Sequence, residues 1–104
     1  MSILWSARAE NDLGGIYAHI ARDSAFYAQR QIERLMARAG FIDSHPTAGH
    51  PVPEDIRGEL REVHEGNYRI IYAFGNAGIL IVTVVHMKQH LSRSGLRVQR
   101  PAKS

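Results

Sequence analysis

Residues 68–86 read Tyr-Arg-Ile-Ile-Tyr-Ala-Phe-Gly-Asn-Ala-Gly-Ile-Leu-Ile-Val-Thr-Val-Val-His. The first seven alternate: Tyr68, Ile70, Tyr72 and Phe74 fall on one face of a strand, Arg69, Ile71 and Ala73 on the other. Gly75-Asn-Ala-Gly78 then reads as a turn. Ile79 to His86 is nearly continuous in β-branched residues, the pattern of a central strand buried in a sheet. One step upstream, Leu60-Arg-Glu-Val-His64 is a further strand. Glu65-Gly66-Asn67 supplies a turn whose Gly and Asn tolerate positive φ. Three strands joined by tight turns make an antiparallel meander.

Further out the period changes. Residues 43–56 hold all but one of the four prolines (Pro46, Pro51 and Pro53) and Gly49, and read as a loop with short extended pieces. Before it, Ala28, Ile32, Leu35 and Ala39 recur at helical spacing, with Met36 widening the stripe and Gly40 placed to end the helix. Ala9, Leu13, Ile16 and Ile20 form an equivalent stripe. Ser6 and either Asp23 or Ser24 suit the N-caps. Residues 7–41 thus predict a helical hairpin with a very short turn. Gly14-Gly15 in its first helix implies either close approach of another backbone or a weak helix. Residues 2–5 read as a short opening strand. The order β, α, α, β, β, β predicts an α+β domain: an N-terminal strand and a helical hairpin packed on an antiparallel β-meander sheet. The Tyr68/Ile70/Tyr72/Phe74 face is the one expected under the hairpin. The Arg69 face is then left for function.

The chain has 104 residues, 44% hydrophobic and 22% charged, ordinary values for one folded domain. We read a single domain over 1–92 and a basic tail over 93–104. There is no cysteine, which excludes disulfides and thiolate chemistry. No apolar run approaches the ~20 residues that span a bilayer, and no secretory signal is evident, so no membrane partner and a cytoplasmic location are expected. Net charge is +3, unevenly placed. From Lys88 onward there are five basic residues (Lys88, Arg93, Arg97, Arg100 and Lys103) and no acid. That run suits an anionic partner, or is a solvated tail.

The sequence has no Gly-rich phosphate loop and no HExxH or Gly-x-Ser-x-Gly pattern. His64, His86 and His90 have no helix to align them as ligands, so neither a metal nor another cofactor is expected. Arg69 stands out, since an arginine inside a strand must reach solvent or a partner. Two arrangements fit. Arg57, Arg61 and Lys88 could join it in a phosphate-binding surface. Alternatively, Glu59, Glu62 and Glu65 pair with these arginines as an ion-pair lattice.

Several pieces occur in a telling order: Trp5-Ser-x-x-Ala9-x-x-Asp12-Leu13-x-x-Ile16; Pro46-x-x-Gly49-x-x-Val52-Pro53-Glu54; Leu60-Arg61-Glu62; Tyr68-Arg69-Ile70-x-Tyr72; and Val84-Val85-His86. Together, over about residues 3–90, they resemble the RelE/ParE superfamily of type II toxin–antitoxin toxins. The resemblance implies a helical hairpin on an antiparallel sheet, a cognate antitoxin as partner in a hetero-oligomeric complex, and one of two activities. RelE-like toxins are ribosome-dependent mRNA endoribonucleases that need no metal. Basic side chains orient the phosphate and the ribose 2′-OH attacks. Arg57 and Arg69 match basic positions of that branch, and Lys88 falls near a third. Glu59 stands where a second basic residue would, and Ser94 where a tyrosine would. His86, Lys88 or His90 would then supply acid–base chemistry. ParE-like toxins poison DNA gyrase, and the family implies no catalytic residues for them. The Val52-Pro53-Glu54 loop, the Val84-Val85-His86 strand end and the incomplete nuclease set are similar to this branch. On charge alone, Arg61, Arg69, Lys88, Arg93, Arg97 and Arg100 are the target-binding candidates.

Overall fold

The computed structural model describes residues 2–89 and 91. The chain runs β1 (Ile3–Trp5), α1 (Ala7–Ala21), α2 (Ala25–Ser44), β2 (His50–Pro51), β3 (Arg61–Glu65), β4 (Tyr68–Gly75) and β5 (Gly78–His86). One five-stranded sheet has the order β1-β5-β4-β3-β2. The meander β3-β4-β5 is antiparallel as the alternation predicts. β1 adds to β5 in parallel, Ile3 beside Ile79 and Trp5 beside Ile81, so the sheet is mixed rather than wholly antiparallel. The basic tail read over 93–104 lies outside the described residues, as does His90.

Local chemistry sets the helix starts. The Ser6 hydroxyl accepts the Ala9 N–H at 2.9 Å and donates to the Val82 carbonyl at 2.7 Å. It caps α1 and pins that cap to β5 in one residue. Ser24 caps α2 by accepting from the Tyr27 N–H at 3.2 Å. α2 runs on through Gly40 to Ser44, because nothing crowds or kinks the chain there. Gly14 and Gly15 likewise face open space, so close backbone approach is not their reason.

Ala9, Ile16, Leu35, Ala39 and Ile42 from the hairpin pack on Val63, Tyr68, Ile70, Tyr72, Ile79, Ile81 and Val84. Met36 is exposed, outside the stripe it was expected to widen, and Phe74 at the strand end is partly exposed. β5 contains a bulge. Ile71 pairs with Thr83 but Tyr72 pairs with Ile81, leaving Val82 as the extra residue. The shift turns Ile79, Ile81 and Val84 toward the helices while Val82 and Val85 join the opposite face.

That opposite face is not open. Val52 and Leu60 from the long loop, together with Leu91, cover Ile71, Val82 and Val85 in a second apolar cluster. The Arg69 face, expected to be free for function, is therefore roofed by the 52–60 loop. The loop cannot fray at its start, because the Tyr72 hydroxyl donates to the Pro46 carbonyl at 2.7 Å and accepts the Gly49 N–H at 3.0 Å. A Cβ at Gly49 would lie 2.6 Å from that hydroxyl and 2.8 Å from the Glu62 carbonyl, so only glycine fits.

Candidate functional site

Arg69 leaves β4 on the roofed face and is 6% exposed. Its Nε donates to Glu62 Oε1 at 2.8 Å and its Nη2 to Glu62 Oε2 at 3.1 Å. Nη2 also donates to Glu54 Oε1 at 2.7 Å, and Nη1 to Glu54 Oε2 at 2.9 Å. The remaining Nη1 donor reaches the Gln89 carbonyl at 3.3 Å. A guanidinium has five N–H donors. All of them are engaged within the chain, and none is left for a phosphate oxygen. Of the two sequence-level arrangements, this is closer to ion pairing, although it is buried, and Glu54 takes part where Glu59 and Glu65 were expected.

Local structure places both carboxylates. Glu62 points from β3 onto the Arg69 face. Glu54 comes over from the loop, whose turn is built by Asp55. The Asp55 carboxylate accepts the N–H groups of Arg57 at 3.2 Å, and of Glu59 and Leu60 at 2.8 Å each. The Arg69 hydrogen bonds hold the Glu54 carboxyl well down, at about 2, with the Leu91 N–H assisting against the opposing effect of burial. Burial pushes the Glu62 carboxyl up, but bonds from Arg69 and His64 outweigh it and the group stays below its ordinary value. The same carboxylates raise Arg69 further above its already high value. Two carboxylates on one guanidinium leave one negative charge in excess. His64 lies at the edge of this charge, with Nε2 2.9 Å from Glu62 Oε1 and its side chain 46% exposed. An ionised carboxylate only accepts, so His64 Nε2 carries a proton here.

The remaining predicted residues do not gather around Arg69. Arg61 is on the opposite face, donating to the carbonyls of Gly49 at 2.8 Å and Thr47 at 3.4 Å, with its guanidinium 5.8 Å from the Phe74 ring centroid. Arg57 is exposed on the loop. Lys88 does share a pocket of about 320 Å³ with Arg69, Glu54, Glu62, His64 and Met87. His86 lines a different cleft, of about 360 Å³, with Arg8, Asn11, His19 and Tyr68. There its Nδ1 accepts the Lys88 N–H at 3.1 Å and its ring meets Tyr68 edge-on at 5.5 Å. Arg93, Arg97 and Arg100 lie outside the described residues. No group of three or more His, Asp or Glu side chains that could hold a metal occurs among the described residues.

Glu54, Asp12 and His64 stand out in the sequence only as motif, strand or ligand positions, not as the partners of Arg69, β5 and Glu62, and nothing there marks Leu91. Asp12 Oδ2 accepts both the Thr83 hydroxyl and the Val84 N–H, at 3.0 Å for the latter. It thereby satisfies a backbone group that the β5 bulge frees from the ladder. No periodicity signals a bulge, so this partnership could not be read in advance.

The motif residues quoted above therefore hold one architecture together. Trp5 and Ile16 pack the hairpin on the sheet, Asp12 caps the bulge, and Gly49 and Tyr72 seat the loop. Glu54, Glu62 and Arg69 lock the loop in place. The sequence model described as ParE toxin of type II toxin–antitoxin system, parDE, matches residues 3–91. The chain belongs to the ParE toxin family. It is the toxin of a type II toxin–antitoxin system, in the RelE/ParE superfamily. Among solved structures, the chromosomal ParDE toxin–antitoxin system from P. aeruginosa superposes with a TM-score of 0.70 and 17% identity, covering 83% of this chain and 95% of the other. The RelBE toxin–antitoxin complex from Mycobacterium tuberculosis gives a TM-score of 0.60 and 18% identity, covering 82% and 95%. At these identities the two likenesses establish the shared fold. A comparison with curated protein sequences gives no match. No helix among the described residues is long and apolar enough to cross a membrane.

Proposed function

We propose that this ParE-family toxin acts in the cytoplasm on DNA gyrase. In this reading it blocks replication and stabilises the replicon that encodes it, and a cognate antitoxin neutralises it. Membership of the ParE family over residues 3–91 carries the reading. The state of Arg69 supports it. A metal-independent nuclease needs guanidinium donors aimed at the scissile phosphate, and here every Arg69 donor is bound to Glu54, Glu62 or Gln89. Arg57, Arg69, His86 and Lys88 do not converge on one cavity either, since His86 and Lys88 line different ones.

The antitoxin is inferred as a partner in a hetero-oligomeric complex. The two solved relatives are both described as toxin–antitoxin assemblies. The exposed Phe26, Tyr27, Met36 and Phe41 along α2 suit an amphipathic segment laid against the hairpin. Gyrase action is tested by adding the purified full chain to gyrase and relaxed plasmid. Supercoiling should fall while cleaved plasmid accumulates. Unhindered supercoiling, with mRNA cut on ribosomes, would replace this reading with the RelE-like one.

A further inference from the structure

The packing of the fold does not explain Gly14 and Gly15. Both sit inside α1, where glycine is a poor helix former, and a Cβ at either would meet nothing within 4 Å. Their surroundings differ. Gly15 is part of the wall of the cleft of about 360 Å³ that also holds His86, and Gly14 is not. Asn11, Gly15 and His19 follow one another at steps of four, so one stripe of α1 makes one side of that cleft. Between two polar side chains the helix wall is bare. Glycine is the residue that lets a bound group approach a backbone closely.

The other side comes from the sheet, through Tyr68, Val84 and His86, with Gln89 just beyond β5. Ile16 and Val84, both buried, supply an apolar floor. α1 and β5 run alongside each other: Ser6 meets Val82, and Asp12 meets Thr83 and Val84. His86 therefore lies beyond Asp12 along the cleft, on the way toward His19. His19 is itself about two turns, or about 10 Å, past Asp12 along the helix axis. Asp12, the one acid among the described residues of the cleft, is thus set back from this end, with Oδ2 turned to the sheet. His86 Nδ1 accepts the Lys88 N–H at 3.1 Å, so its Nε2 carries the proton and is a donor. One end of the cleft offers imidazoles to an anion, and its middle offers a cleared, apolar bed.

We propose that this cleft binds a nucleotide, its phosphate held by His19 and His86 and its base laid on the helix wall that Gly15 leaves bare. The volume falls within the range of small-ligand sites. A phosphate alone has no use for the cleared wall, and an apolar ligand has none for the imidazoles. A free nucleotide and one residue of a nucleic-acid strand bring the same chemistry. The site does not depend on gyrase being the target.

The test is an NMR titration of the full chain, following backbone amides, with adenosine monophosphate, inorganic phosphate and a short oligoadenylate strand as probes. Adenosine monophosphate should move the Gly15, His19 and His86 amides and bind about tenfold more tightly than inorganic phosphate. Tighter binding of the strand at the same amides identifies a nucleic acid as the source, and weaker or equal binding identifies the free nucleotide. Gly15→Leu puts a side chain into the cleft, while Gly14→Leu, one position round the helix, does not. Both should keep or raise the melting temperature, since leucine favours a helix over glycine. Only Gly15→Leu should weaken binding, by about tenfold or more. His19→Ala, at an exposed position, should weaken it too and decides the matter if Gly15→Leu does not fold. Amides that do not move overturn the site. Equal affinity for inorganic phosphate overturns the nucleotide. Unchanged affinity in His19→Ala overturns the phosphate end. Unchanged affinity in a folded Gly15→Leu, or an equal loss in Gly14→Leu, overturns the part given to Gly15.

Discussion

Arg69 is conspicuous in the sequence because a strand arginine needs a partner, and Glu62 is one the strand pattern offers. Glu54 is not, because it sits 15 positions away in a proline-rich loop whose path no period reports. The resulting trio governs how mutants should be read. Removing one member of a buried pair leaves an uncompensated charge and costs about 3–5 kcal/mol. Arg69→Ala should therefore lower stability by that order, measured by urea unfolding, and its loss of toxicity would report lost folding rather than lost chemistry. Glu54→Gln should cost about 3 kcal/mol at neutral pH. Because the folded Glu54 carboxyl is held below its ordinary value, its contribution is full above about pH 4.5 and fades as pH falls toward about 2. Glu62 shifts in the same direction and adds to the acid sensitivity. The gap between wild type and Glu54→Gln should thus narrow steadily over that range in unfolding titrations. A gap independent of pH would refute the charge-based account. Gly49→Ala should cost about 2–4 kcal/mol, since its Cβ must displace either the buried Tyr72 hydroxyl or the β3 backbone.

At the scale of elements, most of the order was legible: both helix caps, both turns of the meander and the helical stripes follow from local rules. Three features were not. The parallel docking of β1 on β5 depends on tertiary packing, with the Ser6 hydroxyl reaching the Val82 carbonyl across 76 positions. α2 continued through Gly40 because a glycine at an unstrained, exposed helical site costs only about 1 kcal/mol, which its buried face outweighs. The bulge in β5 is silent in a run where every residue is apolar or β-branched. Its one outward sign is Asp12, an acid on the sheet-facing side of α1. Asp12→Ala should leave the Val84 N–H and the Thr83 hydroxyl without their acceptor and cost about 1–3 kcal/mol. Asp12→Asn, which retains one accepting oxygen, should recover part of it. Equal stability of all three proteins in urea would mean that water replaces the carboxylate and the bulge needs no cap.

For the whole molecule, one scaffold is shared with a ParDE and a RelBE toxin–antitoxin system, and a fold alone does not select an activity. What selects it is which side chains the scaffold leaves free. The sequence placed Arg69 at the centre of a possible phosphate site, while the folded chain turns it inward to fasten a loop. We propose that the cations from Lys88 onward supply charge to the target. Reversing Arg93, Arg97 and Arg100 together to Glu should weaken growth arrest on induction more than it lowers stability in urea unfolding. The most direct measurement is the order in which synthesis fails when the chain is induced without antitoxin, with DNA and protein synthesis pulse-labelled separately over the first minutes. Our account predicts that DNA synthesis falls first and that cleaved chromosomal DNA accumulates while translation continues. If translation stops first, with mRNA cut at ribosomes, the account is contradicted and Arg69 must leave its carboxylates to act.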